Sequence, residues 1–301
     1  MRLPAIMVAA ILMTVSANAA ELSGTLQKIK ETNRIILGIQ ESSVPFSYLD
    51  GDQKVIGYAV DICLKIVEAV KREINVSNVI VETLPVTSSN RIPLMMNGTV
   101  DLVCASTTNN AERQRQVAFT NSHFLSATRF AARKSDNITT IDQLKGKPVV
   151  AISGSTNMVQ LNQVNNARNL GVTPLAAKDQ AEAFLMLETG RAAAYVLDDV
   201  QLAVAIARSK DPSAYVISEE TLSKAEPYGI MLRRDDTPFK AVADRATADL
   251  YRSPEIEAIY RKWFESPVPP NGLNFKTPMT AVLRNGFAHP SDSADPASYE
   301  R

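Results

Sequence analysis

A chain of 301 residues can form one large domain or two medium ones around a substantial core. Hydrophobic residues make up 45% of it, charged residues 21%, and 32 basic side chains balance 32 acidic ones. That balance leaves no basic excess for a nucleic-acid partner and no charge block for an interaction tail, so the composition is that of a soluble globular protein.

The first 20 residues differ from the rest. Met1-Arg2 leads into an apolar run over residues 6–15, followed by Ser16-Ala-Asn-Ala-Ala20. A positive start, a core of roughly ten apolar residues and small side chains at Ala17 and Ala19 read as a signal peptide over residues 1–19. A membrane anchor fits less well, because the run is shorter than the roughly 20 residues that span a bilayer. The mature protein is therefore expected to be exported, soluble and periplasmic. In that oxidising compartment Cys63 and Cys104 are candidates for a disulfide. It would close a loop of about 42 residues and contribute roughly 3–4 kcal/mol by chain-entropy arguments. Two separate buried thiols are the alternative. Two cysteines and two histidines without short ligand spacing form no zinc pattern, and no metal or cofactor is expected.

Residues 22–30 have the apolar spacing of a helix and 34–39 that of a buried strand, from which 40–48 leave as a loop. Asp50-Gly51 makes a turn before a long helix over 59–72, whose apolar face is Val60, Leu64, Val67 and Val70. A strand over 78–84 is followed by Thr87-Ser-Ser-Asn-Arg91, which caps a helix with Pro93 in its first turn. Gly98 stops that helix, and 100–105 form a third strand. Alternating strands and helices imply a parallel sheet covered on both faces. Residues 119–132 are extended and apolar enough to pass between domains. A second unit then restarts with the capping box Thr140-Ile-Asp-Gln143, a strand over 148–152, and Ser153-Gly-Ser-Thr156 opening a helix. A helix over 179–189, a strand over 192–197 ending in Asp198-Asp199, and a helix over 200–208 complete it. Residues 228–233 form a strand that returns across the boundary, and 239–251 and 255–264 are the last long helices. The expected organisation is α/β with two lobes: 20–125 with 228–265, and 126–227. Residues 266–301, rich in Pro, Ser, Asn and Asp, are expected to be a surface or partly disordered tail with one short helix at 279–284.

The polar residues are not scattered. Residues 40–43, 88–91, 106–113, 153–156 and Asp198 each follow the carboxyl end of an expected parallel strand, where open α/β sheets bind ligands beside helix N-termini. Arg113 is a cation in a first helical turn, which opposes the helix dipole unless an anion is held there. Arg113, Thr108 and the N–H groups near Thr156 suit a carboxylate. Asp198 suits an ammonium group, with Ser106 beside it, and Phe46 and Tyr48 could cover an aliphatic part. Each residue also has an ordinary role: Ser, Thr and Asp198 as caps, Arg91 in a surface ion pair, and Phe46 and Tyr48 in the core. The coincidence at five loops favours a site for a free amino acid.

Four segments carry a family resemblance: Glu-Ser-Ser-Val-Pro-Phe-Ser-Tyr (41–48), Thr-Ser-Ser-Asn-Arg-Ile-Pro-Leu (87–94), Cys-Ala-Ser-Thr-Thr-Asn-Asn-Ala-Glu-Arg (104–113) and Arg-Lys-Trp-Phe (261–264). The chain resembles periplasmic amino-acid-binding proteins of ABC importers (solute-binding protein family 3), most closely the glutamate/aspartate-binding group. The resemblance implies a two-lobed, type II periplasmic-binding-protein-like fold, with a cleft between lobes joined by two crossing strands. It implies Arg113, Thr108 and Thr156 on the α-carboxylate, Asp198 and Ser106 on the α-ammonium, and Ser88 and Arg91 at the side-chain end. A membrane permease is the implied partner, and a monomer the implied state. Two positions depart from the group's pattern, with Gln40 and Gln180 standing where cations are expected. Each lost charge-assisted bond is worth about 1.5–3 kcal/mol, so a dicarboxylate could bind a hundredfold less tightly or more. A polar amino acid is thus a broader expectation than glutamate. The alternative is an exported enzyme on the same scaffold, such as a cyclohexadienyl-dehydratase-like lyase, with Glu41 or His123 as general acid or base. No G-x-S-x-G, H-E-x-x-H or P-loop motif supports it.

Overall fold

The computed structural model describes residues 22–300; the expected signal peptide at 1–19 lies outside them. Two five-stranded sheets organise the chain. In the first lobe the strand order is Ile80–Pro85, Arg34–Ile39, Leu102–Cys104, Met231–Arg233 and Val117–Phe119. The first three are parallel and the last two join antiparallel. Ile35, Leu37 and Ile39 are buried on one face, and Ile36 and Gly38 on the other are half-buried and buried, as in a strand covered on both faces. The helix Tyr58–Ile74 supplies part of that cover, but with a different face from the expected one. Ile62, Cys63, Ile66, Val67 and Val70 point inward, while Leu64 is 40% exposed.

The second lobe repeats the plan in the order Thr173–Ala177, Pro148–Ile152, Ala194–Asp198, Thr128–Arg133 and Tyr215–Ile217. Its first three strands are parallel and the last two antiparallel. Thr173–Ala177 and Tyr215–Ile217 are both edge strands, and the sequence pattern did not reveal them. Their residues are mostly exposed or half-buried, so they lack the apolar signature of a central strand.

The lobes are joined by two crossing strands, Phe124–Ser126 and Glu226–Tyr228, which pair antiparallel with Tyr228 opposite Phe124. The extended segment 119–132 is therefore three strands, only the middle one crossing, and 228–233 likewise divides between the crossing and the first sheet. A disulfide joins Cys63 to Cys104, Cα–Cα 6.1 Å, tying the long helix to the end of the strand that feeds the loop at 105–110.

Residues 266–300 are more ordered than their composition implies. They include the helix Ala281–Ala288, whose Leu283 and Phe287 are buried, and Tyr299 is only 4% exposed. Phe287 packs against Tyr251 with ring centroids 4.9 Å apart. A few well-spaced apolar residues anchor a segment whose average composition is polar.

Candidate functional site

The five loops do meet where the lobes face each other. Asn110 caps the one-turn helix Ala111–Gln114, its side chain accepting from the Arg113 N–H at 2.9 Å. Arg113 is 6% exposed, and its guanidinium donates to the Thr108 carbonyl at 2.9 Å and, across the boundary, to the Gly154 carbonyl at 3.4 Å. Thr108 and Thr156 face each other from opposite lobes, with hydroxyls 3.2 Å apart. Gly154 has φ of +74°, and a Cβ there would lie 2.7 Å from the Ser89 Cα. Glycine is what allows this close approach, which the Ser89 hydroxyl seals by donating to the Ser153 carbonyl at 2.9 Å.

Asp198 occupies the N-cap position of the helix Asp199–Ala207 but does not cap it. Its carboxylate instead accepts from Thr128 at 3.1 Å, Asn157 at 2.9 Å and Tyr228 at 2.5 Å. Burial raises its pKa and these three donors pull the other way, the balance remaining above the ordinary value. Arg91 is not a surface ion-pair member. It is 3% exposed, its Nη1 donates to the Thr107 hydroxyl at 3.0 Å, and its Nε has no partner among the described residues. Burial, then repulsion from Arg113, push its pKa well down, while Asp198 opposes the shift.

A second set gathers around the first strand's carboxyl end. Gln40, Thr87, Lys178 and Gln180 line a cavity of about 230 Å³, and the buried Gln40 Oε1 has no donor among the described residues. Ser43 accepts from Gln180 at 3.2 Å and from Gln201 at 2.8 Å, and lies 3.0 Å from Ser106. Gln201 also donates to Ser106 at 3.1 Å. With both Ser43 lone pairs occupied, its proton goes to Ser106, which then accepts twice and retains its own proton to donate. In that arrangement Ser106 has a proton free to donate to a ligand.

Two expected residues fall differently. Tyr48 is 1% exposed, its hydroxyl donates to the Pro269 carbonyl at 2.8 Å and its ring lies edge-on to Trp263, so it belongs to the core of the first lobe. The Ser88 hydroxyl makes no hydrogen bond among the described residues, and its neighbour Ser89 makes the contact between lobes. Sequence reasoning placed Ser43 and Thr107 in the strand-end loops without giving either a separate role, and passed over Thr128, Asn157, Gln201 and Tyr228. Gln201 had a usable signal, as a polar residue in the first turn of the otherwise apolar Asp-Val-Gln-Leu-Ala-Val-Ala-Ile-Ala helix. Of the general acid–base candidates, Glu41 is exposed. His123 is fully buried among Phe46, Tyr58 and Tyr228, and burial pushes its pKa down to about 3.

Glu226, on a crossing strand, shares a surface cavity with Arg113, Thr156 and Gln160 and accepts from Gln160 at 2.8 Å. Burial lifts its pKa from 4.5 to about 7, with Asp198 adding to the rise and Gln160 and Arg113 opposing it. The folded protein therefore keeps this proton across a window in which the unfolded chain has lost it. Stability from this group is fullest below pH 4.5 and is lost as pH rises through about 7. Asp198 acts with the same sign. Glu226→Gln is expected to flatten the fall in Tm over that window in a pH series of thermal melts, whereas an unaltered slope would remove Glu226 from the account.

A sequence profile of the bacterial extracellular solute-binding proteins, family 3, matches residues 35–266. The L-glutamate/L-aspartate-binding protein of Pseudomonas aeruginosa is 46% identical over 288 residues, covering 95% of each chain. The glutamate/aspartate import solute-binding protein of Escherichia coli is 43% identical over 278 residues, 92% of each. Among solved structures, an ancestral arginine-binding protein bound to arginine superposes with a TM-score of 0.69 at 26% identity, covering 77% of this chain and 98% of that one.

Proposed function

The chain belongs to the bacterial extracellular solute-binding proteins, family 3, and from that premise we propose that it captures glutamate or aspartate between its lobes and delivers it to the membrane permease of an ABC importer. Its near-full-length relatives are transport proteins rather than enzymes. Residues 1–19 are read as the signal peptide that brings it to the periplasm. We also read it as a monomer.

The observation that carries the reading is a charge imbalance. Two buried guanidiniums, Arg91 and Arg113, stand against one fully buried carboxylate, Asp198, while Glu226 with a pKa of about 7 is only partly charged near neutrality. An acidic amino acid carries one net negative charge and offsets the surplus cation; a neutral one does not. In this reading Arg113, Thr108, Thr156 and the Ser106 proton hold the α-carboxylate. Asp198 holds the α-ammonium, and Arg91 with Ser88, Gln40 and Gln180 meets the side-chain end. Arg113 belongs to the first lobe and Asp198 to the second, so the ligand itself favours closure. A side-chain amide is the second reading, because the buried Gln40 Oε1 needs a donor that glutamine or asparagine possesses.

A thermal-shift screen of the twenty amino acids decides between them. A ligand at about a thousand times its Kd stabilises the folded state by roughly 4 kcal/mol. Glutamate and aspartate should give the largest shifts. Larger shifts with the amides would select the second reading, and no shift with any amino acid would overturn both.

A further inference from the structure

Residues 289–300 lie beyond the family match, which ends at residue 266, yet they reach the loop that carries Arg113. The Asp292 carbonyl accepts from Asn109 Nδ2 and from Gln114 Nε2, each at 2.9 Å, and Gln114 also donates to the Asn109 side-chain oxygen at 2.9 Å. Asn109 precedes the cap of the Ala111–Gln114 turn and Gln114 closes it. A single carbonyl therefore clamps both ends of the turn that presents Arg113. A helix of four residues has almost no stability of its own, since nucleation is costly and propagation never begins. Apart from the Asn110 cap, its geometry has to be imposed from outside.

The clamp has a firm base. The Asp292 carboxylate pairs with Lys240 at 2.8 Å on the helix Thr237–Tyr251. The Ser291 carbonyl accepts from the Ser122 N–H at 2.8 Å. The buried Tyr299 hydroxyl lies 2.7 Å from that of Ser122, and 3.0 and 2.9 Å from the carbonyls of Ser291 and Ser293. Ser122 stands just before the crossing strand Phe124–Ser126. Covering the core is the task of Leu283 and Phe287 in the preceding helix, whereas the contacts made by residues 291–293 are polar and directed at the loop and the crossing.

We infer that residues 289–299 are a strap that positions Arg113, so that part of the amino-acid affinity is set by a segment outside the family core. Asn109, Gln114 and Asp292 are its positioning residues. The inference rests on the proposed role of Arg113 as a ligand anchor. Without the strap the turn frays, and the guanidinium has to be ordered again each time a ligand binds.

The test uses the full chain, a chain lacking residues 289–301, and the full-length Gln114→Leu variant, which loses both side-chain donors. Amide exchange over residues 109–116 of the ligand-free protein should quicken in both variants, because the local opening that permits exchange becomes easier. The Kd for glutamate, by calorimetry, should rise about threefold to tenfold, the scale of one or two neutral hydrogen bonds. In an Arg113→Lys background the same deletion should cost less than about twofold, since the strap acts through that side chain. Unchanged exchange, or an equal loss of affinity in both backgrounds, would overturn the strap. If the shortened chain does not fold, Gln114→Leu decides by the same two readouts. If the unaltered protein binds no amino acid, the functional reading fails, while the exchange measurement still judges whether the strap holds the turn.

Discussion

Replacing Arg113 by Ala is expected to weaken glutamate binding roughly thirtyfold to several-thousandfold, the equivalent of about 2–5 kcal/mol for truncating one member of a buried, hydrogen-bonded charge pair. The side chain is 6% exposed and its fork is fixed by two neutral acceptors, the carbonyls of Thr108 and Gly154. Those acceptors orient the guanidinium without neutralising it, which leaves its charge for a ligand carboxylate. Desolvation has already been met by the folded protein, so little reorganisation is required on binding. Arg113→Lys should recover only part of the loss, because an ammonium cannot reproduce the planar two-toothed geometry. The free protein should melt within a few degrees of the parent, because Arg113 forms no close ion pair among the described residues and its hydrogen bonds go to two carbonyls. Calorimetry with glutamate checks the affinity, and a change under about threefold would refute the anchor.

Arg91→Met is expected to act with opposite signs on stability and on binding. In the free protein Arg91 is a 3% exposed cation whose one side-chain hydrogen bond among the described residues goes to the Thr107 hydroxyl, with Arg113 repelling it. Exchanging such a charge for an apolar side chain of similar volume should stabilise the free fold by about 1–4 kcal/mol. Acidic ligands should lose one charge-assisted contact, about 1.5–3 kcal/mol or roughly tenfold to more than a hundredfold in Kd. Neutral amino acids should be nearly unaffected, so the preference for acidic ligands collapses. Melting curves without ligand and calorimetry with glutamate and glutamine measure both halves. A lower Tm together with unchanged glutamate affinity would make Arg91 a structural residue and remove the charge argument for an acidic ligand.

Much of the candidate site could be proposed from sequence because parallel strands announce their carboxyl ends. The run Asp101-Leu-Val-Cys104 followed by hydroxyls, a capping Asn and a misplaced Arg is a local pattern, and local patterns survive without tertiary information. Asp198 was legible for the same reason, as the polar end of the apolar strand Ala194–Asp198. Tyr48 was not. An aromatic residue in a loop can turn to the cleft or to the core, and only the neighbouring Trp263 and Pro269 carbonyl, more than 200 positions away, decide for the core. Gln201 was missed because it matters through contacts with Ser43 and Ser106 of the other lobe. Of the two expectations for the tail, surface wrapping or partial disorder, burial of Leu283, Phe287 and Tyr299 favours the first despite a polar average.

By itself the sequence determined the two-lobed α/β plan, the Cys63–Cys104 pairing as one of two options, and five loops rich in anion- and ammonium-binding groups. Those features depend on periodicity, capping and charge type, which act over a few neighbouring residues. The tertiary structure alone decided that Arg91 is buried against the Thr107 hydroxyl, that Asp198 is held by Thr128, Asn157 and Tyr228 rather than capping its helix, and that Asp292 reaches back to the Arg113 turn. Each of these is a matter of desolvation and of pairing between distant segments. The strength of a buried charge depends on how many partners the fold brings to it, and no stretch of sequence contains that count.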